Sequence, residues 1–177
     1  MRSSFSKKSS YTFSKTVIAS LLAVCSVNVN AGTAANNLSV TATVAASCTI
    51  ATNAVAFGAY DPIVTNKTAN LDGTGTVTVT CTNGSIGTIT LGQGANATIG
   101  TTDALPLRQM AASTNRLSYQ LYSDTARITI WGNTIITGLA RTGSGVADPV
   151  TVYGNVTAGQ NVPAGSYSDT VVATVTF

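Results

Sequence analysis

Short runs in which apolar and β-branched residues alternate with Thr and Ser constrain the fold of this chain more than any other feature. They are "LSVTATV" (38–44), "GTVTVTCT" (75–82), "GTITLG" (87–92), "RLSYQLYS" (116–123), "RITIWG" (127–132), "VTVYGNV" (150–156) and "SYSDTVVATVTF" (166–177). Successive side chains of a strand point to opposite faces, so such runs make strands with one apolar face. Between them lie "ANLDGTG" (69–75), "GQGANATIGTTD" (92–103) and "RTGSGVADP" (141–149), clusters with the composition of turns. Short strands spaced by turns predict an all-β sandwich. Only "ALPLRQMAAS" (104–113) has the composition for a helical turn.

The first residues stand outside that pattern. Arg2, Lys7, Lys8 and Lys15 precede a short apolar run, "TVIASLLAVCSV" (16–27), and then "VNA" (29–31). This is the layout of a secretory leader, with cleavage expected between Ala31 and Gly32. The run is shorter than the roughly 20 residues that span a bilayer. A lipoprotein role for Cys25 would want a small residue where Val24 stands. Without residues 1–31 the basic residues fall from nine to five, against six Asp, and the formal charge moves from +3 to −1. No basic patch is left to favour nucleic acid or an anionic membrane. Cys48 and Cys81 remain as an even pair in an exported chain, so a disulfide is expected. Closing that loop contributes roughly 3–4 kcal/mol on the chain-entropy view.

Catalytic equipment is thin. With no His and no Glu, neither a Ser–His–Asp arrangement nor the usual carboxylate pair can be assembled. Asp61, Asp72, Asp103, Asp124, Asp148 and Asp169 all stand in turn-like triplets and read as turn formers. No imidazole exists to hold a metal, so no catalytic residue, metal site or cofactor is expected. The segments "GTGTVTV" (73–79) and "GQGANATIG" (92–100) lack the following helix that a phosphate loop needs. Tyr60, Tyr119, Tyr122, Trp131, Tyr153 and Tyr167 could line a sugar site, but core packing is the commoner use of aromatics.

The two ends of the exported chain raise a different possibility. Tyr167, Val171, Ala173, Val175 and Phe177 share one face of the last run, which stops while still in its pattern. A final strand of this kind is expected to lie beside an unfilled place in its sheet. At the other end Leu38, Val40, Ala42 and Val44 are the only evenly spaced apolar set ahead of Cys48.

Taken together, "FGAYDP" (57–62), "VTVTC" (77–81), "RLSYQLYSDTARITIWGN" (116–133), "VYGNVTAGQ" (152–160) and "AGSYSDTVVATVTF" (164–177) resemble the spore coat protein U domain family. That family includes subunits of archaic, Csu-type chaperone–usher pili. Ala173 departs from the larger β-branched residue the pattern often carries there. The resemblance implies an immunoglobulin-like sandwich lacking its final strand. It also implies a periplasmic chaperone, an outer-membrane usher, and identical or related subunits as partners, with no small-molecule substrate and no nucleic acid. On this reading residues 1–31 are a leader, 32–47 a donor strand and linker, and 48–177 the sandwich. Leu38, Val40, Ala42 and Val44 would enter a neighbour's groove by β-strand addition, on a tether of Ala45, Ala46 and Ser47. The expected product is a pilus at the cell surface that supports adhesion and biofilm formation. The alternative is a monomeric secreted or coat protein in which 38–44 is the first strand of its own domain.

Overall fold

The computed structural model describes residues 29–177, so the expected leader lies outside the described residues as far as position 28. Two units are distinguished, Met1–Thr41 and Ala42–Phe177. In the first, residues 29–41 are exposed and contain no strand. Among the described residues the regular structure lies in the second: β1 (Cys48–Ala56), a 3-10 turn at Thr65–Lys67, β2 (Leu71–Cys81), β3 (Ile86–Leu91), β4 (Arg108–Ala112), β5 (Asn115–Tyr122), β6 (Leu139–Thr142), β7 (Asp148–Val156) and β8 (Ala173–Thr176). These strands form two antiparallel sheets, ordered β1-β2-β7-β5-β4 and β6-β3-β8. The chain is an all-β sandwich, as its alternation predicts.

Period-two burial builds the core. Val77 and Val79 of β2, Leu117, Tyr119 and Leu121 of β5, and Val150, Val152 and Val156 of β7 turn inward from the larger sheet. Ile89 and Leu91 of β3 meet them from the smaller one. Trp131, fully buried, ties the sheets together. Its indole Nε1 donates to the Ile89 carbonyl at 2.8 Å, and its backbone N–H donates to Leu121 at 2.9 Å. Cys48 and Cys81 are disulfide-bonded and face each other in the β1–β2 ladder, the pairing the cysteine count predicts.

Among the segments that differ from their sequence reading, three do so for a clear local reason. The expected helical turn at 104–113 yields β4 instead, because a two-residue turn at Ser113 and Thr114 lets it pair with β5. Ser113 takes the left-handed φ of 53° that such a turn requires. The expected strand at 127–132 makes one isolated bridge, Tyr122 with Ile130. Here the Asp124 carboxylate takes the Ile128 and Thr129 amides, at 3.2 and 2.6 Å, and so withdraws them from any ladder. Conversely, β1 is a strand without visible alternation. Its pairing with β2 shifts between Asn53 and Ala56, a bulge whose extra residue puts Ile50 and Val55 out of phase.

Candidate functional site

Each sheet ends in a strand with one unpaired side, β1 in the larger and β8 in the smaller, and these two strands are neighbours. Between β1 and the segment leading into β8 the sandwich is open. One cavity of about 320 Å³ lies under Thr52–Val55 and Tyr167–Ala173, floored by Val77, Val152 and Leu121. A second, of about 660 Å³, continues past Phe57 towards Tyr60, Pro62 and Val162–Tyr167. Val55, Phe57, Met110 and Tyr167 line both, so they form one groove with a waist. One wall is the free edge of β1, the other is the segment that leads into β8, and the floor is largely hydrocarbon.

The floor depends on glycine. Val55 and Phe57 lie flat on the larger sheet because Gly75 and Gly154 offer no side chain there. A Cβ at Gly75 would sit 2.7 Å from Val55 Cγ2, and one at Gly154 would sit 2.6 Å from Phe57 Cζ. Phe57 then meets Tyr119 edge-on, with ring centroids 6.0 Å apart. Tyr60 fixes the chain beyond. Its hydroxyl accepts from the Gln160 amide at 2.9 Å and donates to the Thr157 carbonyl at 3.0 Å. Asp61 closes the next turn by accepting from the Ile63 and Val64 amides, which hold its carboxyl below the ordinary range.

The outer wall is less regular than its sequence suggests. Only Ala173–Thr176 pair continuously, with β3. Upstream, Ser168 bridges to Ala111, the Gly92 amide donates to the Val172 carbonyl, and the Ala95 amide donates to Thr170. Tyr167, Val171, Ala173 and Val175 are half-buried on the inner side, whereas Phe177 is 56 % exposed and does not continue that face. The fifth inward position is Asp169, which sequence reading assigned to a turn. Its Oδ2 accepts from the Tyr119 hydroxyl at 2.7 Å, and its Oδ1 accepts from the Ala95 amide, the Asn96 amide and Asn96 Nδ2 at 3.0, 3.2 and 3.0 Å. Burial first, and then this bond, push the Tyr119 hydroxyl above the usual tyrosine range, so it stays a donor.

Arg108, an apparently ordinary surface cation in the sequence, is 1 % exposed. Its guanidinium donates to the Gly92, Leu91 and Trp131 carbonyls at 2.9, 2.9 and 2.8 Å, and to Gln120 Oε1 at 2.6 Å. Burial brings its pKa down to about 10, the negative charge of Asp169 opposing that shift, and it remains cationic at neutral pH. Nothing in "LRQMA" (107–111) marks Arg108 as inward, since a strand there puts Leu107 and Ala111 on one face and Arg108 with Met110 on the other.

Leu38, Val40 and Val44 are 87, 85 and 82 % exposed; Ala42 is exposed too, and none belongs to a strand. Ser47 is anchored, its amide donating to Thr82 Oγ1 at 3.0 Å and its carbonyl accepting from the Thr82 amide at 2.9 Å. Among the described residues no group of three His, Cys, Asp or Glu could hold a metal.

Fold and groove define a class: an all-β sandwich whose largely apolar interior is accessible between the unpaired edge of β1 and the segment that leads into β8. The chain belongs to the Spore Coat Protein U domain family, which matches residues 34–174. It is 49 % identical over 175 residues to Protein U of Myxococcus xanthus, covering 92 % of this chain and 98 % of that protein. Among solved structures it is similar to the CsuC–CsuE chaperone–tip adhesion subunit pre-assembly complex from archaic chaperone–usher Csu pili of Acinetobacter baumannii. That likeness is 20 % identical with a TM-score of 0.49, over 76 % of this chain and 40 % of the other.

Proposed function

We propose that this chain is a structural subunit of a chaperone–usher surface pilus and polymerises by donor-strand complementation. Residues 38–44 of one copy would lie in the groove between β1 and residues 166–176 of the next. The observation that carries the reading is the groove itself, a largely apolar trough bordered by the unpaired edge of β1 and by the segment that leads into β8. A strand laid there would satisfy backbone groups on both sides and place alternate side chains on the floor.

The proposed donor matches in spacing and chemistry. Leu38 to Val44 covers six residue-to-residue steps, roughly 20 Å of strand, as does Tyr167 to Ala173 on the wall. Burying Leu38, Val40 and Val44 contributes about 1.5–3 kcal/mol for each side chain. The segments that carry the family resemblance also converge on the groove. Phe57 and Tyr60 shape one end, Tyr119 and Leu121 the floor, and Tyr167 and Val171 the wall.

A periplasmic chaperone would fill the groove before assembly, and an outer-membrane usher would exchange it for the next subunit's donor. The product is a fibre outside the cell, where adhesion and biofilm formation are its expected roles. No catalytic step is involved. The alternative, a monomeric secreted coat protein, draws support from the 49 % identical Protein U of a family named for the spore coat. Replacing Val40 and Val44 by Asp separates the two. The pilus reading expects loss of polymer and a folded, chaperone-bound monomer. A monomer that unfolds instead makes 38–44 an internal strand and overturns the donor assignment.

A further inference from the structure

The wall of the groove carries a device that apolar complementarity does not need. We infer that Asp169 is a positioning residue, whose clamp on Tyr119 and the 94–96 loop holds residues 166–172 in place so that an incoming strand meets a preformed edge. The inference rests on the donor-strand reading.

Regular pairing with β3 begins only at Ala173, so the preceding wall depends on a few separate bonds. The Asp169 carboxylate supplies the side-chain part of that attachment. It joins the wall to β5 through Tyr119 and to the loop after β3 through Ala95 and Asn96. Two oxygens taking four donors have little acceptor capacity left, so apolar pegs meet a satisfied group and not a hungry anion. The loop is shaped for the carboxylate. Gly94 has a φ of +90°, and a Cβ there would collide with Asp169 Oδ2. Asp169 also lines the 320 Å³ cavity, so the clamp stands at the groove itself and not at a remote support. An edge already ordered spares the incoming strand the cost of ordering it.

Tyr119→Phe removes only the hydroxyl and keeps the core packing; Asp169→Ala removes the whole clamp. Both are made in the full chain carrying Val40→Asp and Val44→Asp, and a synthetic peptide of residues 36–46 serves as donor. Hydrogen exchange is followed at the Gly92, Ala111 and Ser168 amides, which report wall attachment without touching the carboxylate. Expected are about tenfold faster exchange at those amides and about tenfold weaker peptide binding. Unchanged exchange overturns the clamp, and faster exchange with unchanged peptide affinity overturns its preorganising role. If Asp169→Ala does not fold, Tyr119→Phe decides by the same readings. A parent chain that binds no peptide refutes the donor reading, and the exchange arm still decides whether Asp169 holds the wall.

Discussion

At the scale of single residues, the six carboxylates do most to separate what can be read in the sequence from what cannot. Asp61 and Asp124 behave as their turn-like triplets suggest, each accepting from backbone amides of the residues that follow. Asp103 accepts from Gln93 and Asn133 side chains across two loops. All three carboxyls are held below the ordinary range, Asp61 and Asp124 chiefly by amide donors and Asp103 by the Asn133 side chain. A carboxyl more acidic when folded stabilises the fold fully above its unfolded pKa, near 3.9, and loses that contribution as pH falls through the lower folded value. With no His in the chain, no ordinary side-chain titration falls between about pH 5 and 8. The urea midpoint is therefore expected to be flat from pH 5 to 8 and to fall below about pH 4. A slope inside the neutral range contradicts this. Asp169 was hidden because "SDT" occurs at Asp124 and at Asp169 alike. Only the partner, a tyrosine fifty residues earlier in the chain, distinguishes an inward clamp from a turn.

Elements were legible where one face differs chemically from the other. β2, β5 and β7 alternate without interruption, and their inward residues are the ones their patterns name. β1 was not legible because its bulge breaks the period, and β4 because "LRQMAA" (107–112) takes its conformation from a hairpin partner. The 127–132 run shows the opposite failure, an alternating pattern whose amides Asp124 has claimed. Of the groove, the alternation that puts Val171, Ala173 and Val175 on one face was legible; its glycine floor was not. That floor gives a test at the element scale. Gly154→Ala forces the Phe57 ring off the larger sheet and narrows the waist, at a cost of about 1–3 kcal/mol typical of overpacking. Urea unfolding of the variant checks the stability loss, and binding of the 36–46 peptide should weaken with it. Full retention of both would mean that Phe57 does not shape the floor.

For the whole molecule, strand direction decides how copies can follow one another. β1 runs from the disulfide end of the sandwich towards Phe57, and residues 166–176 run back. A donor parallel to β1 leaves the groove at the Phe57 end, and its three-residue tether, about 10 Å long, leads to the disulfide end of the next body. A donor running the other way would leave at the disulfide end and gather several such ends within that reach. A body of this length is roughly 35 Å across, so that arrangement cannot propagate. The first arrangement would be head-to-tail and would yield an open filament. It sets Val44 near Tyr167 of the neighbour, so Val44→Cys with Tyr167→Cys should form an intermolecular disulfide, seen as multimers after boiling without reductant. Cross-linking through Leu38→Cys with Tyr167→Cys instead would reverse the direction. The central claim, that the groove is filled by another copy of this chain, is tested most directly by the size of the exported wild-type protein. On a non-reducing gel run under mild conditions, the account predicts a heat-resistant ladder of multimers. A single band at the mass of one chain contradicts it.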